Sequence, residues 1–373
     1  MPAGRLALLV LQPTAFCNLD CSYCYLPHRD RRGAMGIETL DAIARNIISS
    51  PRAAPRLSVV WHGGEPMTLP PAWYEAAFSR LAAGAAGRAI DHCFQTNAIG
   101  VDDDWIDLWR RWNVRIGVSL DGPADLHDAR RRTRRGRGSF DLAMRGIARL
   151  QAAGHPFHVI CVLGARSLED PDRLIDFFLD NGLTDLCFNV EEEEGGHQRS
   201  SLREGGMEAL YGAFLARVAA RMASAEVPFA CREIDGVRSL LHAPPAARSF
   251  NPQVNALEIV SVAVDGTLST FSPELLGVAA PEFEDFAFGN VNAADLDDML
   301  RHPALQRAAR AIEEGVAACR RSCAYFDVCG GGAPANKYFE LGRLDGTETL
   351  YCRLTRKTTL EATLGALEAH AHL

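Results

Sequence analysis

Between positions 6 and 223 the chain alternates short apolar, β-branched runs with longer stretches of helical period. The first pattern fits strands buried on both faces, the second amphipathic helices packed upon them. Strands are predicted near 6–12, 57–61, 89–96, 114–120, 157–163 and 185–190, with helices near 37–49, 72–83, 105–111, 140–153, 173–181 and 207–223. Strict alternation of this kind requires right-handed crossovers and a parallel sheet, either an open doubly wound sheet or a partial barrel. In both, the loops after the strand C-termini form the functional face. The pattern changes near position 225. Apolar runs at 257–264 and 267–271 flank Asp265-Gly266, a strong hairpin signal. A helical stretch from 295 to about 318 follows, and an apolar-periodic helix at 358–367 closes the chain. Two domains are expected, 4–225 and 226–373.

Composition narrows the function classes. Of 373 residues, 47% are hydrophobic and 23% charged, the balance of an ordinary globular chain without low-complexity segments. The first apolar run is too short to span a bilayer and no small-residue cleavage site follows it, so it reads as a buried strand and the protein as cytoplasmic. A formal charge of −8 gives no global drive toward nucleic acid or anionic membrane. The one basic cluster, from Arg130 to Arg137, reads as a solvated loop. Eleven cysteines, an odd number, point in a reducing compartment to metal or redox work rather than to disulfides.

The unusual residues collect in the loops after the strands. Directly after the first comes Phe16-Cys17-Asn18-Leu19-Asp20-Cys21-Ser22-Tyr23-Cys24-Tyr25. Three thiols at this spacing can turn their sulfurs toward one compact object. Structural zinc asks for four ligands, and no fourth Cys or His lies close by. A cubane iron-sulfur cluster takes three protein thiolates and leaves one iron open to an outside ligand. The plainer alternative is a scatter of core cysteines. After strand two comes His62-Gly63-Gly64-Glu65-Pro66, in which the glycines allow close backbone approach and the carboxylate can accept from an ammonium group, although the same string also makes an ordinary turn. Later loops carry Gln95-Thr96-Asn97, Ser119-Leu120-Asp121-Gly122-Pro123, His127-Asp128-Ala129-Arg130-Arg131, and the acidic run from Glu191 to Glu194, which suits either a site or a solvated loop. Cys93, Cys161 and Cys187 fall inside strands and read as small buried side chains. Near the end, Cys319, Cys323, Cys329 and Cys352, with Gly330-Gly331-Gly332 between, complete a closed set of four thiolates that fits zinc or a second iron-sulfur cluster.

Taken together these motifs resemble the radical S-adenosylmethionine (SAM) superfamily, in the branch with a C-terminal SPASM domain, along nearly the whole chain. The resemblance implies an α/β fold built as a partial (β/α)6 TIM-like barrel, followed by a SPASM-like auxiliary domain. It implies that Cys17, Cys21 and Cys24 hold a 4Fe-4S cluster whose open iron is chelated by SAM. Gly63, Gly64 and Glu65 would then receive the SAM amino group, Tyr23 would pack near adenine, and Ser119 would reach the ribose. Asn97 would belong to the same SAM site, and Arg131 would pair with the SAM carboxylate, a match of fork to carboxylate. The chain departs from the full SPASM pattern of seven cysteines. No cysteine precedes the hairpin, and Phe271 and Ala333 stand at two further ligand positions, so one auxiliary set is missing while Cys319, Cys323, Cys329 and Cys352 form the other. Two 4Fe-4S clusters are expected, one binding SAM and one auxiliary.

Within the superfamily, Val10-Leu11-Gln12-Pro13-Thr14, Phe188-Asn189-Val190-Glu191-Glu192 and the segment from Cys329 to Lys337 look most like the maturases of glycine-rich-repeat precursor peptides. Those enzymes form cyclophanes by joining an aromatic ring carbon to a β-carbon nearby. The resemblance therefore implies a ribosomally made precursor peptide as substrate and an external electron donor such as a flavodoxin or ferredoxin. Glu191 or a neighbour is expected to receive the ring proton or hold substrate. The rivals are a sulfatase-type maturase that makes formylglycine, and a non-catalytic metal-binding scaffold. With the triad beginning at Cys17, leader binding is expected to use another surface or a separate protein.

Overall fold

The computed structural model of the protein describes residues 4–371. In chain order its main elements are β1 (Leu6–Leu11), α1 (Ile37–Ile43), β2 (Ala53–Trp61), α2 (Pro71–Gly84), β3 (Ala89–Thr96), α3 (Asp103–Arg111), β4 (Arg115–Ser119), α4 (Ala124–Arg130), α5 (Phe140–Ala152), β5 (Phe157–Leu163), α6 (Pro171–Asp180), β6 (Asp185–Val190), α7 (Met207–Ser224), β7 (Ala230–Cys231), α8 (Arg232–His242), β8 (Ile259–Val262) and β9 (Leu268–Thr270). All six predicted strands form. The sheet has nine strands in the order β7-β6-β5-β4-β3-β2-β1-β8-β9, parallel throughout except for the last pair. From β1 to β6 the spatial order follows the sequence without reversal. A doubly wound sheet reverses at a switch point, so this winding is that of a barrel left open.

The predicted hairpin exists, and its position is informative. β8 pairs in parallel with β1, Leu8 opposite Ile259 and Leu11 opposite Val262, so the segment after 225 extends the same sheet. β1 is thereby hydrogen-bonded on both sides, to β2 and β8, and Leu6, Leu9 and Leu11 are fully buried. The helical stretch from 295 to 318 is two helices, Leu296–Arg301 and Pro303–Ser322. They break at His302, which takes an extended conformation because the residue before a proline is forced out of the helical region. β2 starts at Ala53, earlier than expected, because its exposed Pro55-Arg56 entry lacks the apolar signature of its buried end.

The end of β2 is clamped by aromatic packing. Trp61 is fully buried and meets Tyr74 of α2 edge-on, with ring centroids 5.4 Å apart, and Phe78 at 5.5 Å. The Tyr74 hydroxyl donates to the Pro66 carbonyl at 2.8 Å. Each such ring pair adds roughly 0.5–1.5 kcal/mol beyond area burial, so the loop 62–66 leaves the sheet from a rigid platform.

Candidate active site

The cysteine loop leaves β1 and folds over the C-terminal ends of the strands. Its backbone is pinned from two directions: Cys17 N donates to Arg29 O at 2.9 Å, Asp20 N to Arg132 O at 2.7 Å, and Ser22 N to Arg130 O at 2.9 Å. On the inner side Glu65 N donates to Phe16 O at 2.8 Å. Gly64, with φ of +62°, lies directly against this loop, where a Cβ would stand 2.5 Å from Phe16 O and 2.7 Å from Thr14 O. Neither carbonyl can retreat without dragging the cysteines. Gly64→Ala is expected to lower stability by about 2–3 kcal/mol and to reduce iron retained at the loop, checked by denaturant titration and iron analysis.

The three thiols lie within mutual electrostatic reach. Burial pushes Cys17 up to about 12, with Glu65, Cys21 and Cys24 pushing the same way, and burial also raises Cys21. Unmetallated, Cys17 and Cys21 favour the thiol; a bound cluster supplies the positive charge that lets thiols ionise. Among the described residues no three His, Cys, Asp or Glu side chains converge as a single ion requires. Each thiolate of a cubane binds a different iron and needs no such convergence.

A cavity of about 580 Å³ lies beneath the loop, lined by Cys17, Cys21, Tyr23 and Cys24 on one wall and by Gly64, Glu65, Asn97, Ser119 and Arg131 on the next. Six loop, turn and strand-end positions expected at one SAM site thus share it with the three thiols, while Gly63 sits behind, packed on the Gln12 side chain. Glu65 is 2% exposed and accepts from Met67 N at 3.0 Å, Thr96 Oγ1 at 2.7 Å and Asn97 N at 2.8 Å. Those bonds orient the carboxylate and leave acceptor capacity for an ammonium group. Burial nonetheless raises its pKa, so a cation beside it is favoured. Asn97 also donates to Asn18 Oδ1 at 2.7 Å, tying the third loop to the first.

Arg131 supplies the opposite charge. It is 7% exposed, bonded through Nη1 to the Tyr23 hydroxyl and 3.8 Å from Asp121, while its buried Nε has no partner. An unpartnered guanidinium N–H in a cavity wall is what a ligand carboxylate would satisfy. Tyr23 donates to Asp121 at 2.7 Å and carries the Arg130 guanidinium 4.2 Å above its ring. Glu65 on one side, Arg131 on the other and three thiols above fit an amino-acid head group chelated to a cluster.

Glu191 does not line this cavity. Its carboxylate accepts from Arg130 at 2.9 Å and from Ser201 N at 2.7 Å, turned away from the thiols. Glu193 likewise pairs with Arg203. Glu192 and Glu194 face inward with Glu274, and Asn336 Nδ2 donates to Glu192 at 2.7 Å and to Glu194 at 3.4 Å. The split follows strand geometry, since alternate residues of the extended chain after β6 point to opposite sides. Burial pushes Glu192 up to about 7 despite Asn336, and Glu194 well above the usual carboxylate range, where Glu192 and Glu274 add repulsion. Tyr25 and His62, joined at 2.8 Å, complete this wall, and burial lowers His62 to about 4. Glu274 does not stand out in the sequence, and although the acidic run and Tyr25 do, nothing there says which side chains face inward, because that direction is set by the fold.

The raised carboxyls make stability depend on pH. Protonated forms are favoured in the folded state, so their contribution is complete below the ordinary carboxylate range and lost as pH rises through about 7. The unfolding midpoint is expected to fall between about pH 5 and 8, and Glu192→Gln combined with Glu194→Gln to flatten that slope in a thermal scan.

The late cysteines gather around the end of helix Pro303–Ser322. Cys319 is buried on that helix, Cys329 closes a short turn, and Cys352 sits at the end of helix Leu350–Cys352. Cys319 and Cys352 each feel the charges of Cys323 and Cys329, and burial raises both, Cys352 to about 11. Gly330, Gly331 and Gly332 all have positive φ, and a Cβ on Gly330 would stand 2.2 Å from Ser249 O. Lys337, 2% exposed, places Nζ 3.7 Å from the Cys319 sulfur.

An open parallel barrel with a three-thiol loop, a buried carboxylate and a buried guanidinium around one cavity defines a class, and comparison with known proteins agrees. The radical SAM superfamily matches residues 11–178. An uncharacterized protein of Synechocystis is 39% identical over 98% of this chain and 93% of its own length. A serine-type anaerobic sulfatase-maturating enzyme of Bacteroides thetaiotaomicron is 32% identical over 56% of this chain and 53% of that enzyme. Among solved structures, anSMEcpe with bound AdoMet and Cp18Cys peptide superposes with a TM-score of 0.76 at 18% identity, covering 98% of this chain and 99% of that one. Streptococcus suis SuiB bound to precursor peptide SuiA superposes with 0.63 at 16% identity, covering 94% and 76%. The chain belongs to the radical SAM superfamily and is an enzyme of that superfamily. No helix among the described residues is long and apolar enough to cross a membrane.

Proposed function

We propose that this radical SAM enzyme modifies a ribosomally made peptide, oxidatively joining an aromatic ring carbon to the β-carbon of a nearby residue. One observation carries the peptide reading. The SAM-sized cavity continues, past Asn189, Val190, Glu192, Arg232 and Glu274, which line both, into a second cavity of about 610 Å³ that reaches Cys329 and Tyr351. A small substrate needs no such length; an extended peptide segment running from one cysteine set toward the other does. Two relatives in structure, anSMEcpe and SuiB, are each described with a bound peptide, which supports the same class.

In this reading Cys17, Cys21 and Cys24 hold a 4Fe-4S cluster, and Cys319, Cys323, Cys329 and Cys352 an auxiliary one. When bound, the first cluster together with SAM would supply the radical chemistry that removes hydrogen from an unactivated carbon, and the second would supply an electron acceptor. The chain's own residues do the rest. Glu65 receives the SAM amino group, Arg131 the carboxylate, and Ser119 and Asn97 border the nucleoside. Glu192 takes the role first expected of Glu191: it faces the cavity, is held by Asn336, and its pKa near 7 suits acceptance of a ring proton. Lys337 sets the charge beside Cys319. Lys337→Met is expected to move the midpoint of that cluster to more negative potential by on the order of tens of millivolts, read by anaerobic redox titration, with iron content unchanged.

Mass spectrometry of a short glycine-rich, aromatic-containing peptide after anaerobic incubation with the enzyme, SAM and dithionite tests the reading. Loss of two hydrogens, with the linked residues resistant to fragmentation, is expected. The sequence similarity to a serine-type sulfatase-maturating enzyme over half the chain favours a second reading, conversion of one residue to formylglycine. A product that hydrazine traps as an aldehyde would establish that reading in place of the cross-link.

A further inference from the structure

The outer side of the cysteine loop carries a charge that the rest of the chain does not. Against a formal charge of −8, the stretches 16–32 and 130–138 expose Arg31, Arg32, Arg132, Arg134, Arg135 and Arg137, with only Asp20 and Asp30 as exposed acids among them. The two stretches are laced into one surface. Arg134 Nε donates to the Cys17 carbonyl at 2.6 Å, and its Nη2 to the Arg29 carbonyl. Arg32 and Arg134 flank Phe16, at 4.3 and 5.4 Å from its ring centroid, and Leu19 and Thr133 form an antiparallel bridge. Arg31, Arg135 and Arg137 enter no side-chain ion pair among the described residues. Like charges crowded this way repel one another, and their field attracts a partner of opposite sign.

We infer that this arginine collar is the docking surface for an acidic one-electron carrier protein of the flavodoxin type. The inference rests on the radical SAM reading above. None of the six exposed arginines lines the substrate cavity, so a partner seated on them leaves that cavity unobstructed. Yet the collar is bonded to the backbone of Cys17 itself, so the partner sits at the wall of the cluster site. Electron transfer asks for close approach without entry, and the collar provides both. The step balances simply: the reduced carrier loses one electron, the cluster held by Cys17, Cys21 and Cys24 gains it, and no atom or proton is exchanged. An acidic peptide substrate would need a path from the collar into the cavity, which these arginines do not border.

The test uses cluster-loaded protein and a purified flavodoxin. Binding is read by calorimetry at low and high salt, and 5'-deoxyadenosine production is followed with either reduced flavodoxin or dithionite as electron source. The triple variant Arg31→Glu, Arg135→Glu, Arg137→Glu is expected to weaken flavodoxin binding by about tenfold or more, and wild-type binding to weaken as salt rises. The flavodoxin-driven rate should fall in parallel while the dithionite-driven rate holds. Equal binding by wild type and variant would overturn the inference, as would wild-type protein that ignores flavodoxin and binds RNA through the same arginines. If wild-type protein gives no 5'-deoxyadenosine with dithionite, the enzymatic reading fails, and the binding arm still decides the docking surface.

Discussion

Cys21→Ala is expected to abolish 5'-deoxyadenosine formation, by about a thousandfold or more, while leaving the barrel folded. Cys21 is 8% exposed and its thiol makes no bond that the sheet depends on, so the truncation leaves only a small void. What is lost is one of three ligands to an object that tolerates no fewer. Iron should drop from about eight atoms per chain to about four, with the far-ultraviolet spectrum unchanged. Cys329→Ala gives the informative contrast. It should also remove about four irons, yet retain SAM cleavage and lose the cross-linked product. If Cys329→Ala behaves like Cys21→Ala in both assays, the late cysteines serve the first site or the fold, and the division of labour proposed above is wrong. Full activity in Cys21→Ala would remove the triad from the chemistry altogether.

Arg131→Met should do two kinds of damage that separate experimentally. The first is to stability. Asp121 is 1% exposed and accepts from Tyr23 at 2.7 Å and Val162 N at 3.1 Å, and Arg131 is the cation facing it. Removing that cation strands a buried carboxylate, worth about 3–5 kcal/mol. The second is to SAM. The unpartnered Nε offers a charge-assisted bond to the SAM carboxylate, and losing about 1.5–3 kcal/mol weakens binding by roughly tenfold to a hundredfold. Arg131→Lys distinguishes the two: it restores a positive charge near Asp121 but not the fork, so stability should recover more than SAM affinity. Calorimetric titration with SAM beside denaturant unfolding reads both. Equal recovery of the two would show Arg131 to be a structural counter-ion and nothing more.

Much of this arrangement is legible in the sequence, and the illegible parts have physical causes. The six barrel strands announce themselves because each carries a short apolar, β-branched core, even where polar residues interrupt it, as Asp91, His92 and Gln95 do in β3. α4 does not, because Ala-Asp-Leu-His-Asp-Ala-Arg offers only Leu126 as a large apolar residue, yet it brings His127 to accept from Asp121 N and Arg130 over the Tyr23 ring, behind the site. β7, two residues long, is beyond any periodic signal. The cysteines, Gly64, Glu65, Asn97, Ser119 and Arg131 are legible because their side-chain chemistry is unusual for the loops they occupy. The acidic run is legible only as a run: nothing in four consecutive glutamates says which pair is tied to Arg130 and Arg203 and which faces the cavity. Nor does sequence show that Phe271 is fully buried with φ of +71°, filling a position where the resemblance places a cysteine.

The double pairing of β1 has a consequence during synthesis. β1 is made before β8, which covers its free edge and follows only after the rest of the barrel has been made. At typical elongation rates that interval is on the order of ten seconds to a minute, during which the backbone N–H and C=O groups of Leu8 to Leu11 that pair with β8 stand as an uncapped edge beside buried apolar side chains. Such an edge invites pairing with other chains. Versions of this protein cut before Ile259 would carry that exposure permanently, so they are poor vehicles for isolating the barrel, and slow growth with chaperone support favours recovery of the intact chain.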